Sequence, residues 1–222
     1  MNKPSTRPQQ DPSLDPHDWR LAHWLYAMVF ALSRKRRMHG ISVASSRIGI
    51  HDVDRSLDKV ERALQAIADH DPPRYAHITR DMQRIWIGPI PNYARGQWID
   101  ELRLCMLRDS FVADDDVSIA YVAALIVHEG THARVARAGI SFDEQIRPRV
   151  ERLCIKSQIA FSRKHPDGEP LVDMFLENLR RADSWWSDSR LRSVQLRALK
   201  ELRLPKRIRW MVDRASRQRD RD

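Results

Sequence analysis

The pentapeptide His128-Glu129-Gly130-Thr131-His132 contains three side chains able to do metal chemistry, at a spacing that matters. On an α-helix, residues four apart lie one turn above each other, so His128 and His132 would point the same way and converge on one metal ion. Glu129 would stand beside the pair, close enough to deprotonate a zinc-bound water without being a ligand itself. The apolar run 119–127 leads straight into the motif and predicts a buried helix. Unpaired histidine and glutamate are costly in such a place, which favours a metal site over a helix with two surface histidines.

Two histidines alone do not hold zinc; at least one more protein ligand is needed, with a fourth position open for water if the site is catalytic. No histidine follows within six residues of His132, so the third ligand must come from elsewhere. Asp143 and Glu144 open the next predicted helix, and Glu151 lies two turns into it. Cys154, three residues further on, lies near the helical face of Glu151; it either contacts the metal or, the better reading, fills space as a small buried side chain. Arg147 and Arg149 would orient Glu151, bind a substrate carboxylate, or form structural ion pairs, the commonest role of helical arginines near acids.

At this point the sequence resembles the gluzincins, the zinc metallopeptidases that include thermolysin-like and aminopeptidase N-like enzymes. In that group a glutamate on a second helix completes the site, and Glu151 stands after the eighteen-residue gap of the aminopeptidase N-like members. The chain has only eight glutamates, so few positions were available for such a match. The resemblance covers roughly residues 98–160. It lacks the G-A-M-E-N anchoring motif, and Ile155 occupies the place of the acid that supports a zinc-bound histidine in thermolysin-like enzymes. V-H-E-G-T-H-A-R followed by R-P-R-V-E-R-L-C is most similar to small bacterial zinc-peptidase-like proteins of undefined substrate.

The resemblance implies Zn²⁺ held by His128, His132 and Glu151, Glu129 as base, and a peptide or protein substrate. It also implies that 98–107 is the edge strand beside which an extended peptide lies. For the group that steadies the tetrahedral intermediate, His165 and Tyr93 are the candidates, while Tyr121 is assigned to the core.

Other elements must position these residues. Strands are predicted at 41–50, 84–87 and 98–107, the last with Leu102, Leu104 and Met106 on one face. Asp54 is the expected cap of a helix to His70, stopped by Pro72-Pro73, with a short helical turn around His77. Asp114-Asp115-Asp116 is the expected cap of the motif helix, 117–138, which Gly139 ends. Helices over 143–164, 170–184 and 191–202 complete the reading. The fold class is therefore α+β and mostly helical: a zincin-like domain with a small sheet and two metal-bearing helices.

Residues 1–17, with Pro4, Pro8, Pro12 and Pro16, read as a flexible leader, 18–204 as a single domain, and 205–222 as a basic C-terminal segment. Within the domain, 19–33 is an apolar helix that packs on the rest or touches a membrane interface; it is too short to span a bilayer. The formal charge of +9 admits contact with nucleic acid or anionic membrane through Arg34 to Arg37 and the C-terminal segment. Two cysteines, no C-x-x-C pair and no apolar leader point to the cytoplasm, either free or peripheral at the membrane. Against the hydrolase stand two alternatives, a non-catalytic protein with a structural metal and a basic binding protein.

Overall fold

The basic run Arg34 to Arg37 is followed, past His39-Gly40, by the β-branched and small residues Ile41 to Ser45, and the chain folds back on itself there. β1 (Arg34–Met38) and β2 (Ile41–Ser45) form an antiparallel hairpin. Its turn places His39 (φ 52°) and Gly40 (φ 82°) in the left-handed region, as a two-residue turn matched to strand twist requires. The computed structural model describes residues 30–46, 52–90, 94–191 and 193–194. Most of the expected apolar helix 19–33, the leader, Tyr93, nearly all of 191–202 and the segment 205–222 lie outside the described residues.

Helix α1 (Val53–His70) buries Leu57, Val60, Leu64 and Ile67 along one stripe, as their spacing predicts. Its cap is Asp52 rather than Asp54: the Asp52 carboxylate accepts the backbone N–H groups of Asp54 and Arg55. The proline pair ends α1 and also starts a new helix, α2 (Pro72–Asp81), longer than the single turn expected around His77. Proline suits that first turn because its missing N–H would have no helical partner there.

β3 (Arg84–Gly88) follows. The expected strand 98–107 is in fact two strands, β4 (Gly96–Ile99) and β5 (Leu104–Arg108), paired antiparallel around a turn. Arg103 takes φ 46° in that turn and its N–H donates to the Asp100 carbonyl. Continuous alternation of apolar residues had hidden the break: Leu102, Leu104 and Met106 still share one buried cluster although Leu102 belongs to the turn. The five strands make one mixed sheet in the order β1-β2-β3-β5-β4, which leaves β4 on an edge.

One sheet face, with Val43, Ile85, Ile87, Cys105 and Leu107, packs on the helices; the other carries Ala44, Trp86, Leu104 and Met106. After the short helix α3 (Asp109–Ala113) comes α4 (Ile119–Arg137), the motif helix, which is buried on nearly every side along 122–127. Its cap is Ser118, whose hydroxyl accepts from the Tyr121 N–H. The acid triplet therefore does other work: Asp115 pairs with Arg55, and Asp114 accepts from the Asp116 N–H. Gly139, at φ 73°, ends the helical segment as expected.

α4 packs against α1, α2, β4 and α5 (Arg147–Ser162). A methyl at Gly130 would come within 2.5 Å of Ile78 Cγ1, so the glycine inside the motif is what allows α2 to approach so closely. α6 (Glu169–Leu179) and a 3₁₀ turn (Asp183–Trp186) close over α5. The architecture is α+β, mostly helical, with one small mixed sheet. No helix among the described residues is long and apolar enough to cross a membrane.

Candidate functional site

α4 presents both motif histidines on one side, and α5 crosses it so that Glu151 meets them. Nε2 of His128 and Nε2 of His132 are 3.2 Å apart. One Glu151 oxygen lies 3.4 Å from Nε2 of His128 and the other 3.6 Å from Nε2 of His132. Bonds of about 2.0–2.2 Å to a central ion would separate tetrahedral ligand atoms by about 3.3–3.6 Å, so these three side chains already stand at coordination spacing.

Cys154, fully buried one turn beyond Glu151, joins them: its sulfur and the ring nitrogens of His128 and His132 all lie within 4.8 Å of one another. His128, His132 and Cys154 thus form a possible metal-binding group in their own right. The thiol also packs with Val135 and Val150, as a small buried filler does.

Buried Gln158 fixes the orientation of His128. Its Oε1 is 2.9 Å from Nδ1, which makes Nδ1 the donor and turns Nε2 toward Glu151 and His132. Phe142 packs against the His132 ring in a T-shaped contact, with ring centres 5.0 Å apart.

Glu129 is 4% exposed. The Trp98 N–H in β4 hydrogen-bonds its carboxylate. Gly96 lies so near that an added methyl would sit 2.8 Å from Glu129 Oε1 and 3.1 Å from Leu125 Cδ1. The edge strand thereby holds the carboxylate in place by one backbone donor and one missing side chain.

The electrostatics of the four groups are set by burial and by one another. Burial pushes the Glu129 carboxyl up, the Glu151 charge adds to this, and it reaches about 7. Burial works against a charge on His128, but Glu151 in hydrogen-bonding reach and the Glu129 charge outweigh it and hold His128 up at about 9. His132, pushed down by burial and by the neighbouring His128 charge, falls to about 4. Burial opposes the charge on Glu151, yet the two histidines, with help from Arg147, keep its carboxyl below the ordinary range. Burial and mutual charge thus favour an imidazolium on His128 against a Glu151 carboxylate, disfavour one on His132, and raise the Glu129 carboxyl toward neutrality.

His128, Glu129 and Glu151 open into a cleft of about 200 Å³ walled by β4, α6 and the 3₁₀ turn. Tyr121 packs against the core as expected, half-buried between Phe111 and Phe175, and also lines this cleft. His165 is not among the cleft residues; it packs on His70 and Phe161, which removes it as a candidate for the reacting centre.

Of the arginines expected near Glu151, Arg147 is structural: it pairs with Asp188, donates to the Trp186 carbonyl and stacks over Phe142, acting on Glu151 only through its charge. Arg149 is exposed on α5. Glu144 is exposed too, and accepts the Asp188 N–H away from the histidines. Gln158 was legible in principle, being two helical turns after Glu151, although the supporting acid of thermolysin-like enzymes would fall at 155, where this chain has Ile155. Gly96 and the Trp98 N–H carried no signal in one dimension, because a backbone donor and an absent side chain leave no residue type to find.

Comparisons with protein families, with curated proteins and with solved structures give no match to this chain.

Proposed function

We propose that this protein is a zinc-dependent hydrolase of the gluzincin kind that cleaves a peptide or other amide bond. The observation that carries this reading is the convergence of the His128 and His132 nitrogens and both Glu151 oxygens at 3.2–3.6 Å, with Glu129 buried alongside. His128, His132 and Glu151 would hold the ion. A zinc ion so bound supplies a Lewis acid for the amide carbonyl and makes a water more acidic.

Glu129, with a carboxyl near 7, is matched to accepting a proton from water at neutral pH and returning it to the departing amine nitrogen. The Trp98 N–H keeps its carboxylate aimed while this happens. Gln158 keeps the His128 tautomer that leaves Nε2 free to coordinate. β4, at the sheet edge beside Glu129, offers backbone groups to an extended substrate. Free, buried cysteines agree with a reducing compartment such as the cytoplasm.

The second reading, a structural metal, draws on Cys154: a thiolate added to His128, His132 and Glu151 would close the fourth position and leave none for water. The basic-surface reading draws on Arg34 to Arg37, but Arg34 and Arg36 already pair with Asp54, Asp58 and Glu61 of α1.

Metal analysis and the Glu129→Gln variant test the preferred reading. About one zinc per chain is expected in protein purified without chelators, and Glu129→Gln should retain it while losing turnover of a peptide library by at least ~100-fold. A chain with no zinc, or a variant that cleaves as well as the parent, overturns the hydrolase.

A further inference from the structure

The cleft beside the histidines is bordered by two arginines, Arg95 and Arg181, that belong to neither the proposed ligands nor the base. Arg95 immediately precedes Gly96, the residue packed on Glu129, and its carbonyl accepts from the Arg108 N–H, which continues the β4–β5 ladder by one step. Its guanidinium lies over the rings of Tyr121 and Phe111, at 5.6 and 5.9 Å. Arg181 follows α6; its carbonyl is held by Arg152, and its guanidinium lies 3.7 Å from the centre of the Trp185 ring. Both side chains are thus braced by aromatic faces before any ligand arrives.

Among the described residues neither arginine has a carboxylate within 4 Å, whereas Arg147 and Arg152, close by, are each paired with an aspartate. The acids of the cleft, Glu129 and Glu151, are engaged with Trp98 and the histidines. Guanidinium groups stay charged at any working pH and bind carboxylates through two parallel hydrogen bonds.

We propose that Arg95 and Arg181 select substrates carrying a carboxylate near the scissile amide; this inference rests on the hydrolase reading. The carboxylate has two sources, an acidic side chain or a free C-terminus.

A metal-binding probe tests the arginines without turnover. Succinic acid monohydroxamate and its terminal amide analogue share the metal-binding group and differ only in the carboxylate. Calorimetry on the full zinc-loaded chain should find the carboxylate form bound at least ~10-fold more tightly, and Arg95→Gln with Arg181→Gln should reduce that ratio toward one while zinc content stays at the parent level. Equal binding of the two probes to the parent, or an unchanged ratio in the double variant, overturns the arginine assignment and leaves the zinc reading standing. A chain that holds no zinc overturns both.

Three peptides then separate the sources: one with an internal glutamate and an amidated C-terminus, one neutral with a free C-terminus, and one neutral and amidated. Faster cleavage of the first identifies an acidic side chain and of the second a terminal carboxylate. Equal cleavage of all three counts against selection of either.

Discussion

Oε1 of Gln158 accepts a hydrogen bond from Nδ1 of His128 at 2.9 Å, although the two residues are thirty positions apart and belong to different helices. This contact settles which ring nitrogen of His128 faces Glu151. Gln158→Leu removes the acceptor while keeping the bulk, so zinc affinity should fall by about 10- to 100-fold. Competition with a chromogenic chelator measures it, and Gln158→Glu, which keeps an oxygen there, should recover most of the loss.

Gly96 and Glu129 meet across the edge of the sheet. In Gly96→Ala the new methyl would intrude on Glu129 Oε1 and Leu125, and the carboxylate must shift. Peptide turnover is expected to drop by about 10- to 100-fold with zinc content unchanged, because a displaced base affects the reaction more than the binding of the ion. Parallel metal analysis and steady-state kinetics give the two readouts.

Zinc and protons compete for Nε2 of His128. With that imidazole held at about 9, zinc must displace a proton throughout the neutral range, so apparent affinity should rise about tenfold per pH unit from 7 to 9 and level off above. The raised value also means that the His128–Glu151 pair stabilises the metal-free fold fully below about 6.5 and loses that effect as pH climbs through 9. The rise in melting temperature on adding zinc should therefore widen between pH 6.5 and 9. A zinc shift that narrows with rising pH would contradict this protonation scheme.

Glu151 and Cys154 make opposite predictions for one spectrum. With cobalt substituted for zinc, a ligand set of His128, His132 and Glu151 gives no sulfur-to-metal charge-transfer band, and Cys154→Ala changes the spectrum little. Glu151→Gln should then weaken metal binding by at least ~100-fold. A strong sulfur band that vanishes in Cys154→Ala would instead support the closed, structural centre.

The motif, its helix and the α+β class were legible in the sequence for a local reason. His128 and His132 recur at helical spacing after an apolar run, Gly139 ends the segment, and Leu57, Val60, Leu64 and Ile67 repeat on one face. Periodicity and capping act over a few residues, and one dimension is enough to hold them. The same local rules failed where neighbours competed for one role. Asp52 took the cap from Asp54, Ser118 took it from the acid triplet, and alternation ran unbroken through the turn that separates β4 from β5.

Tertiary structure alone decided the rest, because the remaining parts of the site meet only when α5 and β4 dock on α4. The approach of Glu151 to both imidazoles, the buried bond from Gln158 to His128, the pressure of Gly96 on Glu129 and the enclosure of Cys154 all depend on helix crossing and strand placement, which no spacing encodes. Arg147 shows the same limit from the other side. It stands four residues before Glu151, as an orienting residue should, but its guanidinium turns to Asp188 and the Trp186 carbonyl because those groups satisfy its donors in the folded chain. The sequence determined which side chains could meet; the packing of α4, α5 and β4 determined which of them do.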